Sequence, residues 1–233
     1  MTTVTNKKTV KDIDLKGKTV LVRVDYNVPF HPNTTHISDD SRIKASLPTI
    51  KYLIGQKCKV ILCTHLGRPD GKISRTLTVA PIVKRLEELL AKQVLFVSEC
   101  IGSEVKMRIE EINQGDILML ENVRFHPGEE SNDPRFASEL ASLAEIYVND
   151  AFGCSHRYHA STVGVTKYLP AVSGLLMSDE IIMLGDTLKS PRRPFAAILG
   201  GAKTSDKLGL LEKLISSVNI LIIGGGMAAT FLK

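Results

Sequence analysis

Thr19-Val-Leu-Val-Arg-Val-Asp-Tyr-Asn27 is a run of apolar and β-branched residues that ends abruptly in polar ones. A short run of this kind reads as a strand buried on both faces. The same signature recurs at Lys59-Val-Ile-Leu-Cys-Thr64, Val94-Leu-Phe-Val97, Asp116-Ile-Leu-Met-Leu120 and Ile146-Tyr-Val-Asn149. Between these runs the apolar period changes. Ile43, Leu47, Ile50, Leu53 and Ile54 mark one helical face, and Val79, Ile82, Val83, Leu86, Leu89 and Leu90 mark another. Pro48 lies inside the first of these helices and is expected to kink it, because the Lys44 carbonyl loses its partner. Asn132-Asp133-Pro134 offers a capping side chain followed by proline at the first helical position. Strands alternating with helices imply βαβ units: a Rossmann-like α/β fold with a parallel sheet and helices on both faces. Right-handed crossovers then bring the carboxyl ends of the strands to one edge.

The pattern pauses at residues 175–188, a helix-compatible stretch, and Ser190-Pro-Arg-Arg-Pro194 breaks it. A second series begins at Phe195-Ala-Ala-Ile-Leu199 and runs through a helical segment at 207–217 to Asn219-Ile-Leu-Ile-Ile223. The expected organisation is a first domain over residues 1–174, a linking helix over 175–189, and the first βαβ unit of a second α/β domain over 190–233. Two strands and about one helix bury too little for a doubly wound core, so this second domain is expected to be incomplete.

Composition narrows the function without assigning it. The 233 residues carry a formal net charge of +5, which suits phosphate-bearing partners, but lysines and arginines are scattered with no run longer than a pair. Tryptophan is absent and aromatics make up 5%, which argues against a stacking platform for single-stranded nucleic acid. Cys58, Cys63, Cys100 and Cys154 show no metal-binding or disulfide spacing. The first residues lack an apolar signal core, and no uncharged stretch reaches the about 20 residues of a membrane span. A cytoplasmic monomer with no membrane and no nucleic-acid partner is expected.

The residues after the strands carry the chemistry. Asp25 and Asn27 follow the first, His65 and Arg68 the second, Arg124 the fourth, and Asp150 with His156-Arg-Tyr-His159 the fifth. Arg42 opens the first helix and can face the same space. Ligands of open parallel sheets bind beyond the carboxyl ends of the strands. Several guanidiniums gathered there repel one another unless anions lie between them, and their paired donors match carboxylate and phosphate oxygens. The rim therefore reads as a site for a small polyanion, with Asp25 and Asn27 able to accept from a hydroxyl group. His65 and His156 lack the carboxylate partners of a metal site, and no metal is expected. Gly128-Glu-Glu130 reads as a solvated loop. A second cluster, Leu199-Gly-Gly-Ala-Lys-Thr-Ser-Asp-Lys207, occupies a strand-to-helix junction where glycines and lysines suit phosphate. It is not a Walker P-loop, which would need glycine at Ala197 and Ala202. Gly224-Gly-Gly-Met-Ala-Ala229 matches the weak GxGxxA signal of dinucleotide sites, a reading that leaves the arginines unexplained.

In order, these stretches resemble phosphoglycerate kinases. The resemblance rests on Val22-Arg-Val-Asp-Tyr-Asn-Val-Pro29, Asp40-Ser-Arg-Ile-Lys-Ala-Ser-Leu-Pro-Thr-Ile50, Thr64-His-Leu-Gly-Arg-Pro69, Leu120-Glu-Asn-Val-Arg-Phe125, Asn149-Asp-Ala-Phe-Gly153, residues 156–163 and residues 199–207. It implies reversible phosphoryl transfer between 1,3-bisphosphoglycerate and ADP, with Mg2+ carried on the nucleotide. It places Asp25, Asn27, Arg42, His65, Arg68, Arg124 and Arg157 at the 3-phosphoglycerate site. Gly201, Ala202, Lys203, Lys207, Gly225 and Gly226 match the nucleotide side, and Arg42, Lys203 and Lys207 match the groups that neutralise the moving phosphoryl. The resemblance also implies a linking helix at 175–189 that serves as a hinge. The alternative is a 3-phosphoglycerate-binding module that catalyses nothing.

Overall fold

The computed structural model describes residues 7–201 and 208–232, apart from the Asp186 side chain. The chain divides into two compact units, with the division between Glu180 and Ile181.

In the larger unit, β1 (Thr19–Arg23), β2 (Lys59–Cys63), β3 (Val94–Val97), β4 (Ile117–Leu120), β5 (Ile146–Asn149) and β6 (Ala171–Ser173) form one sheet in the order β3-β4-β2-β1-β5-β6. Every pair is parallel, as the alternating pattern requires. β1 shows why its residues are apolar without a break. Val20 and Val22 enter one core layer, with Ile43, Ile50 and Leu53 of α1 (Ser41–Gly55) and Ile82 and Leu86 of α2 (Ala80–Leu90). Leu21, on the opposite face, enters a second layer with Val105 and Ile109 of α3 (Ser103–Glu111) and Phe136 and Leu140 of α5 (Pro134–Ala141). Each such side chain, fully buried, contributes about 1.5–3 kcal/mol. α1 runs through Pro48 as one element, and of the face expected from spacing Ile43, Ile50 and Leu53 are buried, Leu47 and Ile54 are half-buried, and Ser46 and Thr49 are buried beside them.

Two elements carry too little signal to be read in advance. β6 is three residues long, and α3 presents only Val105 and Ile109 to the core. The start of α5 does follow its sequence: the Asp133 carboxylate accepts from the backbone N–H groups of Arg135 and Phe136, each at 2.9 Å, and Pro134 follows. A short helix, α4 (Pro127–Glu130), precedes it.

α6 (Leu175–Lys189) begins in the larger unit and ends in the smaller. The smaller unit pairs β7 (Ala196–Gly200) with β8 (Ile220–Gly224) in parallel, joined through α7 (Leu208–Ile215) and followed by α8 (Gly225–Phe231). Its buried cluster is Leu199, Leu211 and Met227. Leu199, Leu221 and Ile223 turn to this cluster, whereas Ile198, Ile220 and Ile222 remain exposed on the sheet.

Loss of the α5 cap isolates one local interaction. Asp133→Ala is expected to lower the stability of the larger unit by about 1 kcal/mol in urea unfolding. An unchanged midpoint would show that Pro134 and the packing of Phe136 set this helix start unaided.

Candidate functional site

Strands β4, β2, β1 and β5 are adjacent in the sheet, so the loops that follow them lie side by side at its carboxyl edge. Asp25, just past β1, accepts from Arg42 Nη1 at 2.9 Å, which joins the first loop to the start of α1. Gly153 leaves room for this carboxylate, since a Cβ there would lie 2.8 Å from Asp25 Oδ2. A cavity of about 380 Å3 opens beside the pair, lined by Ser41, Ser46, Asp150 and Phe152. Burial pushes the Asp150 carboxyl above its ordinary range, and its Oδ2 has no hydrogen-bond partner.

Asn27 and Arg124 hold the loop after β2 from two sides. Gly67 N–H donates to Asn27 Oδ1 at 2.9 Å, and Arg124 Nη1 donates to Gly67 O at 2.7 Å. Gly67 has a φ of +61°, and a Cβ there would meet the Leu77 side chain at 2.6 Å, so both conformation and space call for glycine. Arg68, the next residue, is exposed and forms no hydrogen bond or ion pair with a described residue.

Beneath the rim lies a chain of buried polar groups. Arg23, the last residue of β1, is 1% exposed. Its Nε donates to Ser161 Oγ at 2.8 Å, and that hydroxyl donates to Glu129 Oε1 at 2.6 Å. Glu129 is fully buried and also accepts from the Ser161 N–H at 2.9 Å, with His159 Nδ1 at 3.6 Å. Burial alone would push the Glu129 carboxyl up. The nearby His159 imidazole, the Arg23 charge and both Ser161 donors outweigh it and hold the group below its ordinary value, ionised. Segment 128–130, expected as a solvated loop, is thus partly core: Glu129 lies on α4 and supplies the buried anion.

Arg23 also fixes His65. Its Nη2 lies 3.1 Å from His65 Nδ1, and because a guanidinium only donates, Nδ1 accepts and the ring proton sits on Nε2. Desolvation, then the charges of Arg23, Arg124 and Arg157, lower the His65 pKa to about 2. The imidazole is therefore a neutral donor. Arg124 is 3% exposed, and burial lowers its pKa further than Glu130 raises it. Its Nε is 3.0 Å from Glu130 Oε1, but the line of approach is poor, and the N–H has no hydrogen-bond partner. The buried Nε of Arg157 likewise has no hydrogen-bond partner among the described residues. Unsatisfied buried donors are costly, and two guanidiniums short of acceptors in one neighbourhood are what a bound oxyanion would complete.

The family model described as Phosphoglycerate kinase matches residues 10–233. This chain belongs to the phosphoglycerate kinase family. It is 55% identical over 227 residues to the phosphoglycerate kinase of Pelotomaculum thermopropionicum and 54% identical over 227 residues to that of Moorella thermoacetica. Each match covers 97% of this chain and 57% of the relative, so the chain spans little more than half the length of the curated relatives it matches. The phosphoglycerate kinase structure from Coxiella burnetii aligns with a TM-score of 0.84 at 37% identity, covering 97% of this chain and 56% of that one. The Pyrococcus horikoshii structure aligns with a TM-score of 0.85 at 33% identity, covering 96% and 56%.

In the glycine clusters of the smaller unit, Gly201 and Gly225 abut just past the ends of β7 and β8. A Cβ on Gly225 would lie 3.5 Å from Gly201 N, and Met227 N–H donates to Gly201 O at 3.0 Å. Gly226 is the second residue of α8. Ala202, Lys203 and Lys207 lie outside the described residues. Sequence reasoning left out Arg23 and Ser161 as site residues and read Glu129 as part of a solvated loop. For Arg23 the signal was present: a charge inside a strand buried on both faces demands a buried partner.

The ring state of His65 can be measured directly. Nitrogen-15 NMR of labelled histidine is expected to show His65 with an acceptor Nδ1, unchanged from pH 8 to pH 4. An unfolded histidine takes up its proton near pH ~6.5, so the unfolded chain binds more protons below that pH and this group's contribution to stability declines as pH falls. Titration of His65 between pH 6 and 7 would contradict the Arg23 hydrogen bond.

Proposed function

We propose that the larger unit binds 3-phosphoglycerate, and that the protein works in reversible phosphoryl transfer between 1,3-bisphosphoglycerate and ADP, giving 3-phosphoglycerate and ATP. The observation that carries this reading is the pair of buried Nε–H groups on Arg124 and Arg157, without a hydrogen-bond acceptor among the described residues, beside a neutral His65 donor. Phosphate and carboxylate oxygens supply the missing acceptors, and Asp25 and Asn27 lie on the same edge to fix a hydroxyl. Magnesium enters with the nucleotide as part of that substrate.

In the direction that consumes ATP the nucleophile is already a carboxylate, so the residues need not remove a proton. Their work is to align the reactants and neutralise the phosphoryl oxygens in flight. We assign neutralisation to Arg42, Lys203 and Lys207, and nucleotide contact to Gly201, Ala202, Lys203, Lys207, Gly225 and Gly226, on the family match. Arg42 suits this role because its side chain is 51% exposed and, among the described residues, ion-paired with Asp25 alone. Arg68 belongs with Arg124 and Arg157 as a substrate contact. α6, which crosses from one unit into the other, is the proposed linking helix.

No helix among the described residues is long and apolar enough to cross a membrane. All four cysteines are buried free thiols. The proposed setting is a cytoplasmic monomer that binds small molecules and no nucleic acid.

Calorimetric titration of this chain with 3-phosphoglycerate tests the proposal. Arg124→Ala or Arg157→Ala should weaken binding by about 10- to 100-fold, the worth of a hydrogen bond between charged groups. Arg108→Ala, which removes an exposed α3 side chain paired with Glu111, should change nothing. Equal affinity in all three variants would remove the rim from substrate binding.

A further inference from the structure

At the carboxyl ends of the neighbouring strands β3 and β4, a second group of side chains converges that the phosphoglycerate reading does not use. Glu99 and Cys100 follow β3, and His126 closes the turn after β4. Their ligand atoms, a carboxylate oxygen, a thiol sulfur and an imidazole nitrogen, all lie within 4.8 Å of one another. They border a cavity of about 370 Å3 whose other walls include Phe96, Phe125 and Glu121.

We propose that Glu99, Cys100 and His126 form a binding site for a thiophilic divalent cation of the zinc class. One carboxylate, one thiolate and one imidazole are a tetrahedral zinc donor set with a position left open, and the cavity has room for water there. Magnesium and calcium, which take oxygen ligands, are poor matches for the sulfur.

The surroundings favour a cation. Glu121 also lines the cavity, and its carboxylate is already engaged by Thr78 Oγ1 at 2.6 Å, Val79 N at 2.9 Å and Asn122 N at 2.7 Å, so it adds negative potential without being available as a ligand. Arg75 is the one arginine among the lining residues, and no lysine is present. The His126 ring is stacked on Phe136 with centroids 4.8 Å apart, which limits its rotation. Without metal the ligands occupy one another: His126 Nε2 lies 2.6 Å from Glu99 Oε1, and Cys100 Sγ donates to Glu121 O at 3.0 Å. Burial, then the nearby Glu99 charge, raise the Cys100 pKa well above its ordinary value, so the thiol is protonated until a cation displaces the proton.

Binding balances simply. The Cys100 proton leaves to solvent, its sulfur pair bonds the cation, and the His126 and Glu99 atoms exchange their mutual hydrogen bond for bonds to metal, with the imidazole proton moving to Nδ1. A second triad, Asp25, His65 and Cys154, has comparable spacing. It is excluded because Arg23, Arg124 and Arg157 act on His65 and would repel a cation.

Titration of the whole chain with Co2+ reads the site through thiolate-to-cobalt charge-transfer absorption, with release of one proton per site, and Zn2+ should then abolish the band without further proton release. Cys100→Ser should eliminate the band. Because Cys100 is buried, Glu99→Gln and His126→Gln provide gentler tests, each weakening Co2+ binding at least about tenfold. Cys154→Ala should leave the band intact. The site is overturned by the absence of a band, by one that survives Cys100→Ser, by one lost in Cys154→Ala, or by unchanged affinity in both Glu99→Gln and His126→Gln.

Discussion

Arg23 ends one of the two central strands of the sheet with its guanidinium almost wholly shielded from water. A charge in that position has to find a counter-charge and acceptors inside the protein, or the larger unit could not hold it there. The Ser161 hydroxyl and the buried Glu129 carboxylate provide them, and both come from segments far away in sequence. The same guanidinium then dictates which nitrogen of His65 carries the proton. One buried ion thereby links α4, the segment around residue 161 and the loop after β2, and it orients the donor that faces the rim.

The rim inherits a surplus of positive charge from this arrangement. Glu129 is committed to Arg23, Ser161 and His159, and Asp25 to Arg42. Arg124, although ion-paired with Glu130, and Arg157 keep buried Nε–H groups with no hydrogen-bond acceptor among the described residues. A folded protein tolerates such groups where a ligand completes them, and here the incomplete donors all ask for oxyanions. The thiol, imidazole and carboxylates beyond β3 and β4 form the opposite environment, negative and sulfur-bearing. The two clusters share the carboxyl edge of one sheet but differ in sign, and their proposed ligands differ accordingly.

Much of this was legible from residue patterns. Strands buried on both faces leave continuous apolar runs, and helices on a sheet leave 3.6-residue faces, so β1 to β5, α1 and α2 could be placed to within a residue or two. The Asp133 cap was readable because its chemistry is local. Segments such as β6, whose three residues depend on pairing with β5, carry no comparable local signal. Candidate residues Asp25, Asn27, Arg42, His65 and Arg124 were visible because ligand sites of parallel sheets follow strand ends. What sequence could not convey was burial. Glu129 stands in an acidic, glycine-containing stretch that looks solvated, and only the packing of α4 against Ser161 and His159 shows it to be an interior anion. Glu99 and His126 are likewise too far apart in sequence for their meeting to be anticipated.

A crystal structure of this chain with 3-phosphoglycerate tests the central claim most directly. The account predicts phosphate or carboxylate oxygens within hydrogen-bond distance of Arg124 Nε and Arg157 Nε, with His65 Nε2 facing the ligand. A ligand bound elsewhere, with both Nε–H groups still unpartnered, would contradict it.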